Sequence, residues 1–483
     1  MIKFDFESKG SLVRIVKILL TLGLALSAAC QANQEKPHIK ETPSHYISMS
    51  DFDALPPGIC TGPPSTKTLN IDRINHTVEG SIFPQIGPTL NHDDLLVFNI
   101  WFSPNQRCLI SEAAHVPHPR KDTLRLWDLK TGQAIGEPMV HGGNIYGAAF
   151  SKDGSRFLSW GEDGFLRQWD SRSAMQLGQV MNHNGLIRAA KFNKDETRIL
   201  SHSTWDRSAR LWDANSGRQI GRTMKHNSTM NQSSYVSGAT FNQDETKILT
   251  WTWGEAKLWD AKTGKRLYKF TKDKTNSRSI GQAIFVNDDK EVIIVAGSHL
   301  KFWSTETGKS LPPRINEYWG GRVNVLPGGN EILITPNDSF RGAKLFDMKT
   351  GQKIGKPLHF NDNISDYEIS SNNNKFLVGQ RNGKAILREF STGEDLIPPM
   401  VHDTKRFDNP YIYAKFSPDE QLIATSTLTS KPSVTKLWDA ETGKQIGETL
   451  PGEGEFSASG KMLVTHDDVG NIRLWDISRA YTK

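Results

Sequence analysis

The sequence predicts an all-β protein, a single β-propeller of four-stranded blades, and three observations carry that prediction. A Leu-Trp-Asp mark followed by a Thr-Gly turn returns along the chain at a nearly constant interval. Each repeat holds the same succession of short apolar strands and polar turns. The last repeat lacks one strand, and a matching segment stands near the other end of the chain.

The chain begins with a different kind of segment. Lys3, Lys9, Arg14 and Lys17 outweigh Asp5 and Glu7, and an apolar run follows from Ile18 to Ala29. That run is shorter than the ~20 apolar residues a membrane span needs, so residues 1–29 read as a signal peptide. Leu26-Ser27-Ala28-Ala29-Cys30 resembles the lipobox of bacterial lipoproteins, although Ser27 holds the place usual for Leu. The resemblance implies that Cys30 becomes the first mature residue and carries lipid. Gln31 then resembles the second residue of lipoproteins sent to the outer membrane, facing the periplasm or the cell surface. The alternative is a soluble secreted protein in which Cys30 is incidental. Residues 30–68 are polar and carry six prolines, from Pro37 to Pro64. They are expected to form a flexible tether.

The repeats occupy residues 69–483. The Trp-equivalent positions are 127, 169, 212, 259, 303, 346, 388, 438 and 475, at intervals of 37 to 50 residues. That is the length of one four-stranded blade. In each unit a first strand ends before a polar turn: Phe150 before Ser-Lys-Asp-Gly, Phe192 before Asn-Lys-Asp-Glu, Phe416 before Ser-Pro-Asp-Glu. Such residues tolerate or preset turn backbone angles. A second apolar strand follows, and the third ends in Trp-Asp. After the Thr-Gly turn a fourth strand carries Ile-Gly, as at Ile135-Gly136 and Ile446-Gly447.

These marks resemble the WD-repeat family over about 400 residues. The resemblance implies a hydrogen-bonded set of His, Ser or Thr, Asp and Trp in each blade. Two units hold all four parts: His141, Ser159, Asp163 and Trp169, then His183, Ser201, Asp206 and Trp212. Physically, a buried indole N–H and imidazole need partners, and a chain of donors and acceptors serves both. The fourth unit shows His226, Thr250 and Trp259 without a matching Asp.

The ninth unit ends at Trp475-Asp476, with too little chain left for a fourth strand. Residues near 84–91 repeat the fourth-strand pattern and are expected to close the ring, which removes exposed sheet edges. Nine blades exceed the usual four to eight. Eight is the alternative, and the unit with Arg388-Glu389 in place of Trp-Asp is the one expected to fail.

Composition narrows the function. The net charge of +6 includes no Lys/Arg run, so nucleic acid is not an expected partner. His92, His141, His183, His226 and His402 recur at unit boundaries, which points to structure rather than metal. His115 and His118 are the exception, and no third ligand accompanies them. Cys60 and Cys108 are open to pairing in an oxidising compartment, or to Cys108 being a buried free thiol. No hydrolase or phosphate-binding motif is present, and no cofactor is expected.

Aromatic residues beyond the needs of the repeat mark one face. Trp160, Trp205, Trp251 and Trp253 lie at or beside turns between second and third strands. Tyr235, Trp319 and Phe407 lie in loops leading to first strands, and Arg322 and Arg341 in equivalent loops. Aromatics and Arg dominate binding hot spots. Trp160, Trp205, Trp253, Tyr235, Trp319, Arg322, Arg341 and Phe407 are therefore the candidate partner-binding residues. The expectation is a non-catalytic scaffold or recognition module for proteins or peptides on the bacterial envelope, touching membrane only through its lipid. The alternatives are a glycan-binding propeller, or an envelope hydrolase or lyase acting at the channel.

Overall fold

A computed structural model describes residues 58–61, 83–92, 95–114, 122–226, 235–271, 280–297, 299–315, 321–326, 329–335, 342–358, 364–372, 374–402, 411–427, 432–467 and 469–481. Cys30, His115, His118, Trp319, Arg341 and Phe407 lie outside them. Among the described residues there are thirty-six strands and one short 3-10 helix, Ser478–Tyr481. The strands form nine antiparallel four-stranded sheets, the blades of one propeller ring.

Position within a blade follows the residue pattern. Second strands are apolar on both faces, as in Glu291–Ala296 (EVIIVA), where every residue is buried. Such strands are sandwiched between neighbouring blades. Fourth strands are mostly exposed; in Gln133–Val140 only Met139 is buried. The Ile-Gly mark is a bulge in this outer strand, where pairing shifts between Leu124 and Leu126. Gly136 sits there at a φ of +68°, and a Cβ on it would lie 2.1 Å from the backbone oxygen of Ser173 in the next blade. Only glycine meets both conditions.

The hydrophobic core is divided among the blade junctions. Nine clusters of buried side chains occur, one for each pair of successive blades. Leu158, Trp160 and Leu166 of blade two meet Ile187, Ile199 and Trp212 of blade three. The ring-closing cluster joins Met462, Val464 and Leu474 of blade nine to Val97, Leu109 and Trp127 of blade one.

Closure uses both chain ends. Blade nine contains β34 (Glu453–Phe456), β35 (Met462–His466) and β36 (Asn471–Asp476). Its outer strand is β1 (Gln85–Asn91), antiparallel to β36 with Gln85 opposite Trp475 and Asn91 opposite Asn471. Blade seven is complete despite Arg388-Glu389, because Leu377 and Leu387 supply its buried contacts to blade eight. The ring therefore has nine blades, and the eight-bladed alternative falls.

Cys60 and Cys108 form a disulfide. Residues 58–61, inside the stretch expected to be a flexible tether, are packed against blades one and two. Asn105 Nδ2 donates to the backbone oxygens of Ile59 and Thr61, 2.8 Å away in each case.

Candidate interaction face

Each blade presents two sets of loops. The turns between first and second strands share one face with those between third and fourth strands. The turns between second and third strands share the other with the links from one blade to the next.

The hydrogen-bonded sets reach the second of these faces and hold its turns. In blade three Trp212 Nε1 donates to Ser201 Oγ at 2.7 Å, and Ser201 Oγ lies 2.6 Å from His183 Nε2. His183 Nδ1 lies 3.1 Å from Asp206 Oδ2. Donors and acceptors match throughout when the imidazole is neutral and carries its proton on Nδ1. Burial holds His183 below its usual pKa, against the hydrogen bond to Asp206. Burial also opposes charge on Asp206, but the contacts with His183, Ser208 and Arg210 together outweigh it and its pKa is lowered. In blade two Trp169 Nε1 donates to Ser159 Oγ, itself 2.7 Å from His141 Nε2. There Asp163 stands 3.4 Å from His141 Nδ1 and takes an ion pair from Arg167 at 2.8 Å.

Three further sets are shorter in the sequence pattern. His92, Ser111 and Trp127 join in blade one, and His402, Thr425 and Trp438 in blade eight. Blade four has a fourth member that the sequence pattern misses. Glu255 Oε1 lies 3.2 Å from His226 Nδ1, from a backbone position one strand-residue beyond the turn where the family mark places Asp.

The aromatic candidates divide. Trp205 projects from the turn between second and third strands of blade three and is 59% exposed. The turn is anchored by the Thr204 N–H donating to Leu186 O at 3.2 Å. Tyr235, leading into blade four, is 38% exposed. Trp253 is half-buried in the equivalent turn of blade four, and its backbone oxygen accepts from Ile280 N–H at 2.7 Å. Arg322 is exposed at the start of the first strand of blade six. Trp160 does not belong with them. It points into the junction of blades two and three, is 8% exposed, and lies over Gly147, where a Cβ would be 2.4 Å from the indole. Trp251 lies over Gly238 in the same way. A residue one place beyond the Ser or Thr of the second strand faces the next blade, so these indoles serve packing.

The opposite face is tied together by its own turns. Glu196 and Glu245 hold left-handed backbone, at φ of 60° and 59°. Glu196 Oε1 accepts from Lys152 N–H of the preceding blade at 2.6 Å, and Glu245 Oε1 accepts from Lys194 N–H at 2.6 Å. Gln106 Oε1 accepts from Ser459 N–H at 3.1 Å, joining blade nine to blade one. Glycine is the easy residue at such backbone angles and stands at the equivalent Gly154. Here the long side chains offset the conformational cost by bridging blades. A cleft of about 830 Å³ on this face is lined by Lys194, Lys247, Lys290, Asp244, Asp288 and Asp289.

The first strands of blades seven to nine carry a group of carboxylates around the axis. Lys415 Nζ lies 3.7 Å from Asp366 Oδ2. Burial pushes Asp366, Glu368 and Glu455 above the usual carboxylate range, Lys415 acting against it. Among the described residues no group of His, Cys, Asp or Glu has the arrangement to hold a metal ion.

Comparison with known proteins agrees with this architecture. The family model "WD domain, G-beta repeat" matches residues 133–170 and 175–213. Each match runs from a fourth strand to the Trp-Asp of the next blade, and together they cover the two units with complete four-part sets. None of the curated proteins matches the chain. Among solved structures, the Dos1 propeller is 16% identical, with 69% of this chain and 92% of that one covered and a TM-score of 0.51. The computationally designed Ika8 protein is 18% identical, with 81% and 99% covered and a TM-score of 0.47. The class defined by blades and repeats is a nine-bladed β-propeller with WD-type repeats.

Proposed function

We propose that this chain is a non-catalytic scaffold that captures a protein or peptide partner at the bacterial cell envelope. The observation that carries the reading is Trp205, an indole 59% exposed on a turn whose backbone is held. A large apolar side chain on a fixed support loses little entropy on binding. Tyr235, Trp253 and Arg322 belong to the same set of loops, with Trp319, Arg341 and Phe407 assigned to it by sequence. The Cys60–Cys108 disulfide supports an oxidising compartment, and so an exported chain. In this reading Cys30 carries the lipid that anchors an outer-membrane lipoprotein.

Crosslinking in intact cells, with Trp205→Ala, Trp253→Ala and Trp319→Ala beside the parent, tests the face. Loss of a specific crosslinked partner from folded variants is expected, and unchanged capture by all three rules the face out. Radiolabelled palmitate tests the anchor. Label is expected on the parent and absent from Cys30→Ala, whereas an unlabelled parent leaves the soluble secreted alternative.

One observation favours a second reading. Asp366, Glu368 and Glu455 are neighbouring carboxylates whose pKa values burial raises, which is the direction that acid–base chemistry at the channel requires. Hydrolysis of a glycan or ester panel that disappears in Asp366→Asn and Glu455→Gln would replace the scaffold reading.

A further inference from the structure

We infer that residues 58–61 are a strap that ties the chain before β1 to blade one, and that thiol reduction of the Cys60–Cys108 disulfide loosens the pairing of β1 with β36, the seam of the ring. The seam is the one junction inside a blade that no hairpin connects. β1 reaches β36 from the other end of the chain and lies at the outer edge of blade nine. Its register holds four Cα pairs and breaks between Ile86 and Leu90. Peeling β1 away therefore strips the outer strand from blade nine without breaking any hairpin, and such edges are where local opening begins.

The strap is built into the junction of blades one and two. Cys60 and Cys108 are both fully buried, and they share a cluster with Ile110, Leu124 and Phe157. Asn105 holds the strap backbone on either side of Cys60, and is itself held by Ser103 Oγ at 2.8 Å. Gly154 leaves room for the strap, since a Cβ there would stand 2.0 Å from the backbone oxygen of Cys60.

The topology couples strap and seam. The disulfide joins positions 48 residues apart, and β1 lies inside that covalent loop. While the bond is intact, a detached β1 stays in a loop anchored to blade one at both ends. Once it is cut, β1 is an arm joined covalently to blade one only through the chain that follows it. The arm gains more conformational freedom on detaching than the loop does, so detachment becomes more favourable. Phe83, fully buried against Leu450 and Leu463, and Leu90, buried in the cluster of blades nine and one, are then the apolar holds on the strand.

The chemistry is thiol–disulfide exchange. A dithiol reductant gives two electrons and two protons, the Cys60–Cys108 bond becomes two thiols, and the reductant leaves as its own disulfide. Both sulfurs are buried, so the reductant reaches them only when the strap lifts. Strap lifting and seam opening thus assist each other.

Hydrogen exchange read by mass spectrometry on the folded full chain, before and after dithiothreitol, tests the inference. Exchange in residues 85–91 and 471–476 is expected to accelerate by about tenfold or more on reduction, while blades three to six hold steady. The Cys60→Ala/Cys108→Ala variant is expected to show the same acceleration without reductant. If that variant does not fold, reduction of the folded parent carries the test alone. Unchanged seam exchange in fully reduced protein overturns the inference. So does acceleration spread evenly over all blades, a bond that yields only on global unfolding, or free thiols at both positions in protein made under oxidising conditions.

Discussion

Glu255 Oε1 stands 3.2 Å from His226 Nδ1, doing in blade four what Asp206 does for His183 in blade three. The same carboxylate holds Lys257 and Lys269, each at 2.7 Å. Burial opposes charge on Glu255, yet the hydrogen bonds from His226, Lys257 and Lys269 hold its pKa far below the usual carboxylate range. One side chain thus fixes a ring imidazole and neutralises a buried lysine.

Glu255→Ala is therefore expected to cost about 3 kcal/mol or more, because Lys257 would be left as a buried cation without its carboxylate. Denaturant unfolding measures this. A loss below about 0.5 kcal/mol, the range of an ordinary surface change, would show that Lys257 finds another partner.

Ser201 and Ile294 occupy equivalent places and predict opposite outcomes. Ser201→Ala leaves Trp212 Nε1 and His183 Nε2 without their shared hydroxyl, at a cost of about 2 kcal/mol. In blade five the hydroxyl is already missing: Ile294 stands there, and Trp303 Nε1 is buried with no hydrogen-bond partner among the described residues. Ile294→Thr supplies an acceptor, so it is expected to fall within about 1 kcal/mol of the parent. A hydroxyl placed in an apolar core without a partner costs about 1–3 kcal/mol, and a loss of that size contradicts the pairing.

Acid is expected to destabilise the ring from about pH 6.5 downward. Burial lowers the pKa of His141, His183 and His226, takes His202 to about 3, and takes His402 to about 4 with help from Lys436. Between these values and 6.5 the unfolded chain binds protons that the folded chain refuses, so stability falls as pH falls. Asp163, Asp206 and Glu255, with lowered values, withdraw their contribution at still lower pH. Asp366, Glu368 and Glu455 act the other way: their raised values let the folded chain gain protons first. Thermal unfolding scanned from about pH 7.5 to about pH 5 reads the balance, and a midpoint that rises toward acid would show the carboxylates dominating.

Trp160 and Trp205 separate packing from binding. Trp160→Ala empties the junction of blades two and three and is expected to cost about 3–5 kcal/mol. Trp205→Ala removes an exposed ring and is expected to leave stability within about 0.5 kcal/mol. Calorimetry of the two variants checks the contrast, and equal losses would refute it.

The chain pattern made much of this legible. The spacing of Trp-Asp marks counts nine units, and the Ile-Gly mark near residue 86 identifies the closing strand, because both features repeat at fixed offsets. The four parts around His141 and His183 could be named for the same reason. Glu255 was hidden because a longer side chain reaches the imidazole from another backbone position. Glu196 and Glu245 were hidden because nothing in an Asp-Glu turn announces a hydrogen bond to the preceding blade.

By itself, then, the sequence determined the repeat of nine units, the strand order within each blade and the pairing of β1 with the last unit, since period and register are properties of the chain read locally, whereas the structure decided that all nine units form blades. The tertiary structure alone decided which aromatic rings face solvent. Trp160 and Trp205 both lie beside the turn between second and third strands, but one points into a neighbouring blade and the other past it. It also decided that Cys60 meets Cys108, because that meeting depends on where the ring brings a distant segment of chain back onto itself.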